Sequence, residues 1–170
     1  MHSMINVPYF RQGTPFSCGP AALKMMLHFF GVEKAEEELA KRLKTNTENG
    51  TLHADMIRVA QEEGFYVFEN DDSSIVEISG LLRHHIPVIV HFVEPSENDN
   101  HYAVVVGVDD THLLLNDPWN GEKITMEIDD FIERWSSEKR TEDNWLMAIS
   151  RDSFSLGRQY EPVQTSTLIK

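Results

Sequence analysis

A thiol acts as a nucleophile only when a base takes its proton and a positive environment steadies the anion, so the one cysteine here, Cys18, is read through its surroundings. It follows a polar Gly/Thr/Pro loop in the stretch RQGTPFSCGPAALKMMLHFFG and opens a predicted helix whose first turn is marked by Pro20, a residue tolerated where N–H groups lack intrahelical partners. A thiol at that tip feels the positive end of the helix dipole and is pushed toward thiolate. An unpaired cysteine is ordinarily a small buried apolar filler. Burial would explain the residue type but not its placement.

Eight histidines compete for the role of base. Seven have routine positions: His2 in the start region, His28 inside the cysteine's own helix, His53 at a helix start, His84 and His85 at a helix end, His91 within a strand, and His112 after a turn. With one cysteine and no His-x-x-x-His spacing, a metal site has little support, and no cofactor is expected. His101 differs because it begins a hairpin. Tyr102–Val108 is apolar, Asp109-Asp110-Thr111 is a turn signal, and His112–Asn116 runs back. Antiparallel pairing about that turn makes paired numbers sum to roughly 218–220, which sets position 101 opposite position 117 within a residue or two. Asp117 is then a carboxylate across from an imidazole, close enough to orient it and to stabilise its protonated form. Asp117 also has a purely structural reading, as the residue opening the turn Asp-Pro-Trp-Asn-Gly. Asn116 is the alternative orienter, on the opposite face under strict pairing. Gln12, six residues before the cysteine, supplies a carboxamide that together with the Cys18 backbone N–H would make a two-donor oxyanion site. The four residues compose a nucleophile (Cys18), a base that turns acid (His101), an orienter (Asp117) and an oxyanion donor (Gln12).

Gln12 with Cys18-Gly19-Pro20-Ala21, the helix carrying Met25 and Phe29-Phe30-Gly31, then His101-Tyr102-Ala103-Val104-Val105 and Asp117-Pro118, resemble the double-glycine leader peptidases, bacteriocin-processing cysteine peptidases on a papain-like fold. The resemblance spans roughly residues 7–150 and includes Phe131 and Trp135. It implies the same four roles, and cleavage of a leader peptide after two glycines in a narrow cleft. The best-known members are N-terminal domains of export transporters, followed by membrane helices and an ATPase, and this sequence contains neither. Two other readings use the same residues: a papain-like acyltransferase or deamidase, and a peptide-binding module without chemistry.

Positioning these residues requires helices before strands. Helices are expected over Cys18–Phe30, Glu36–Lys44, Ala54–Glu63, Ile75–His84 and Asp129–Trp135, with Gly31 suited to a left-handed cap. Strands are expected over Phe65–Glu69, Val88–Val93, Tyr102–Val108, His112–Asn116, Lys123–Glu127 and Trp145–Ser150, after an extended Val7–Phe10. That order predicts an α+β papain-like fold, N-terminal helices packed on a C-terminal antiparallel sheet, with one domain over 5–150 and a tail over 151–170 that lies on the surface or is disordered. A chain of 170 residues fits one such domain. The 15 Lys and Arg against 28 Asp and Glu give a net charge of −13, which repels nucleic-acid phosphates and anionic lipid, so a peptide or protein is the expected partner. The run Glu36-Glu37-Glu38 reads as a solvated helix start, Trp119 as a cleft wall and Trp135 as core. One cysteine, no signal-like start and no long apolar run point to the cytoplasm and to no membrane span.

Overall fold

The helix that begins at Cys18 stops where its chemistry says it should. Gly31 adopts φ +86°, the Gly31 N–H donates to His28 O at 3.0 Å and the Val32 N–H to Leu27 O at 2.9 Å, the paired bonds of a glycine-terminated helix. The computed structural model describes residues 3–136, 143–155 and 158–163. In chain order these form β1 (Ser3–Met4), α1 (Cys18–Phe29), α2 (Glu36–Arg42), α3 (His53–Glu62), β2 (Tyr66–Asn70), α4 (Ile75–Arg83), β3 (Val88–Val93), β4 (Asn100–Val108), β5 (His112–Asp117), β6 (Gly121–Glu127), α5 (Ile128–Trp135), β7 (Leu146–Ser150) and β8 (Gln159–Tyr160).

The strands make one antiparallel sheet in the order β6-β5-β4-β3-β7-β2-β8, and β1 pairs with the far end of β4. The α+β architecture with early helices packed on a later antiparallel sheet is therefore present. Strand β4 is buried from His101 to Val108, as a central, β-branched strand covered on both faces must be. Its core neighbours are Leu23, Met26 and Leu27 of α1, which are fully buried. Trp135 is fully buried, with its ring N–H donating to Trp145 O at 2.8 Å. Past Asp152, Phe154 is largely buried and β8 pairs with β2; residues 156–157 and 164–170 of the expected tail lie outside the described residues. Among the described residues no helix is long and apolar enough to cross a membrane.

The hairpin register beside the site sums to 220, at the upper edge of the expected range, and moves to 221 nearer the turn. Val104 pairs with Asn116 and Val105 with Leu115, then a bulge between Val105 and Gly107 shifts the register so that Gly107 pairs with Leu114. The 220 register places Asp117 two positions from the residue directly opposite His101, a diagonal neighbour within the expected residue or two and within reach of its side chain. An irregularity that inserts an unpaired residue has no signature in a valine run.

Candidate active site

Three separated stretches of chain are tied together before any functional side chain is considered. The Tyr9 hydroxyl donates to Asp117 O at 2.7 Å, the Gln12 N–H to Pro118 O at 3.0 Å, and Arg11 Nη1 to Trp119 O at 2.6 Å. These bonds dock the loop preceding α1 on the turn following β5. From the other side, the half-buried Glu36 carboxylate accepts the Gly13 N–H at 2.9 Å and so pins the loop, while Glu37 and Glu38 are exposed as expected of a helix start. No side chain caps α1: Ser17 Oγ is turned back to accept the Thr14 N–H at 3.0 Å.

Gln12, Cys18 and His101 line one cleft of about 550 Å³, with Trp119, Thr51 and His91 among the other walls. His101 Nε2 donates to Asp117 Oδ1 at 2.6 Å, and both residues are buried, Asp117 completely. The Cys18 side chain is the other group that favours the charged ring, and with Nε2 taken by Asp117 only Nδ1 remains to face it. Burial opposes a charge on His101, but the bonds to Asp117 and Cys18 outweigh it and push the imidazole up to about 10. Burial likewise opposes the Asp117 charge, and the bond from His101 overrides it to hold the carboxyl below its ordinary range. A thiol, an imidazole and a carboxylate in this order form a proton-transfer chain in which the ring carries the proton at neutral pH. Gln12 Nε2 spends one hydrogen on Thr14 O at 2.8 Å, leaving the second for the cleft, while its Oε1 is buried without a partner.

Asn116 takes no part in this chain. Its Nδ2 donates to Val7 O and its Oδ1 accepts the Lys123 N–H, each at 3.1 Å, so it ties strands together on the opposite face. His53 and His91 hydrogen-bond each other at 2.8 Å and stack on Trp145 and Tyr102, which places an aromatic wall beside the cleft. Among the described residues no group of three or more His, Cys, Asp or Glu converges as for a metal. Sequence reasoning passed over Asn120 and Glu94: Asn120 Nδ2 donates to Asp117 Oδ2 and to Glu94 Oε1, both at 3.0 Å. The one available signal was an asparagine three residues after the aspartate, which ordinarily means only a turn.

Solved structures share this frame. The peptidase domain of Streptococcus ComA, a bifunctional ABC transporter involved in a quorum-sensing pathway, superposes with a TM-score of 0.71 at 20% identity, over 86% of this chain and all of that one. A structure described as a C39-like peptidase from Bacillus anthracis gives a TM-score of 0.73 at 16% identity, over 89% of this chain and 99% of that one. A double-glycine-motif protease from the AMS/PCAT transporter, solved with its leader peptide, gives 0.65 at 18% identity, over 86% of this chain and 93% of that one. At these identities the likeness establishes the fold. In sequence, an uncharacterized protein of the archaeon Methanothermobacter marburgensis is 37% identical over 111 residues, 65% of this chain and 71% of the relative. Another from Methanothermobacter thermautotrophicus is 33% identical over 107 residues, 63% of this chain and 68% of the relative. The model of the Peptidase C39 family matches residues 6–139, and this chain belongs to that family.

Proposed function

We propose that this chain is a cysteine peptidase that hydrolyses a peptide bond through a thioester. The observation that carries the reading is the buried His101–Asp117 bond at 2.6 Å, with Cys18 in the same cleft favouring the charged ring. The Cys18 sulfur, paired with a protonated His101, attacks the carbonyl carbon, and the resulting oxyanion takes hydrogen bonds from the Cys18 N–H and from Gln12 Nε2. The imidazolium then protonates the leaving amine as the C–N bond breaks, leaving an acyl-cysteine. Water, deprotonated by the neutral ring, attacks the thioester, and as the acid leaves the C–S bond breaks to return the sulfur as an anion beside the protonated His101, the starting pair. Asp117 holds the ring in the tautomer and orientation that both halves need. The substrate we assign is a peptide cut after paired glycines, supported by family membership and by the leader-peptide complex of the similar AMS/PCAT protease. An active free thiol fits a reducing compartment such as the cytoplasm.

Cleavage of Gly-Gly-containing peptides followed by mass spectrometry tests this. Cys18→Ala is expected to abolish both the split products and labelling of the protein by iodoacetamide at neutral pH. Products heavier by about 1 Da, or new conjugates, would mean deamidation or acyl transfer at the same thiol. Undiminished cleavage by the alanine variant would end the assignment.

A further inference from the structure

The turn after β5 holds a side chain with no backbone duty. The turn itself is closed on the Asp117 carboxylate, whose Oδ1 accepts the Trp119 and Asn120 N–H groups at 2.8 and 3.0 Å, and Gly121 takes φ +141°. The Asn120 carboxamide is spent elsewhere. A carboxamide nitrogen has two hydrogens. Nδ2 reaches Asp117 Oδ2, the oxygen that His101 does not use, and Glu94 Oε1, at 3.0 Å each.

Glu94 follows the end of β3 and is 2% exposed, a costly place for a carboxylate unless its oxygens are hydrogen-bonded. They are. The Glu97 N–H donates to Oε2 at 2.6 Å, the Ser96 N–H to Oε1 at 3.0 Å, and the Ser96 hydroxyl also donates to Oε1. Burial opposes the charge, but the bonds from Asn120, Ser96 and Glu97 keep the carboxyl ionised below its ordinary range. A rigid anion therefore grips one hydrogen of Asn120, and the other hydrogen fixes the free oxygen of Asp117. Oδ1 is already held by the Trp119 and Asn120 N–H groups, and the Asn120 side chain adds the hold on Oδ2 that fixes the plane of the carboxylate about its soft terminal torsion.

We propose that Asn120, clamped by the buried carboxylate of Glu94, is a positioning residue that keeps Asp117 aligned on His101 and so sustains the imidazolium that activates Cys18. The inference rests on the reading of Cys18 and His101 as the reacting pair and extends the relay by two residues. The groups that face His101 are few. Cys18 comes from α1, Asp117 from β5 with Tyr9 on its carbonyl, and β3 brings the uncharged ring of Phe92 at 6.0 Å and His91 in the cleft wall. Glu94 lies one carboxamide beyond Asp117, and the exposed carboxylates of Glu48, Glu97 and Asp99 line the same cleft as His101.

Titration of the His101 ring nitrogens by NMR in full-length protein, together with the iodoacetamide rate at Cys18, tests the proposal without any substrate. Asn120→Ala and Glu94→Gln are each expected to lower the His101 midpoint by about one unit, the size of one lost charge-assisted bond, and to shift the pH dependence of alkylation with it. Folded Asn120→Ala with wild-type titration and alkylation would overturn it. Should that variant fail to fold, Glu94→Gln, which keeps the shape and removes the charge, decides alone: an unmoved midpoint overturns the proposal and a lowered one supports it. Lowered midpoints in a protein that cuts no peptide would uphold the positioning role while removing the peptidase reading.

Discussion

His101 holds its proton far above the ordinary histidine range, and the same interactions that keep it charged also tie folding to pH. A group raised from 6.5 to about 10 contributes stability that is fully present below the unfolded value and is lost as pH climbs through the folded one. Asp117, held low, contributes above the usual carboxylate range and loses that contribution only in acid. Thermal melts should therefore show the gap between wild type and His101→Gln shrinking from about pH 7 to about pH 10; a constant gap would contradict the imidazolium assignment. Cys18, His101, Asp117 and Gln12 could be singled out because thiol, imidazole, carboxylate and carboxamide announce chemistry, and hairpin arithmetic brought two of them together. Asn120 and Glu94 could not, since each looks like a turn or loop residue until its partner is seen.

At the scale of elements, the tightest constraint lies where the tip of α1 meets the Thr51 loop. A Cβ on Gly19 would sit 2.5 Å from Thr51 Oγ1 and 2.6 Å from Thr51 Cβ, closer than real atoms come. Alanine is the better helix former, so helix propensity favours Gly19→Ala and sterics oppose it. Sterics should win by about 1–3 kcal/mol, read from denaturant melts, with partial recovery in Gly19→Ala/Thr51→Gly. A stabilised Gly19→Ala would show that the contact yields freely. The five helices and the six longer strands were readable because apolar residues recur at helical spacing or run β-branched between turn signals. Strands β1 and β8 were not, because two-residue strands have no period and exist only through their partners β4 and β2. The bulge in β4 was hidden for a related reason: Val105 and Val106 are equally good strand residues, and packing selects the kink.

The whole molecule carries a charge of −13, and its cleft shares the sign. Exposed Glu48, Glu97 and Asp99 line it, and no lysine or arginine is among the described lining residues. Such a field draws cations toward the sulfur. A quaternary-ammonium methanethiosulfonate should modify Cys18 faster than its sulfonate analogue, with the difference narrowing as salt rises; equal rates at low salt would count against it. The global arrangement of helices on sheet was legible from the order of segments, whereas the docking of the first loop on the β5–β6 turn was not, because main-chain hydrogen bonds leave no trace in residue types. Those bonds join positions 108 residues apart, Tyr9 to Asp117 and Arg11 to Trp119. On the ribosome, α1 emerges long before the imidazole and the acid it needs, so a nascent chain displays an ordinary thiol. On the proposed reading, reactivity waits on the closing of that long loop.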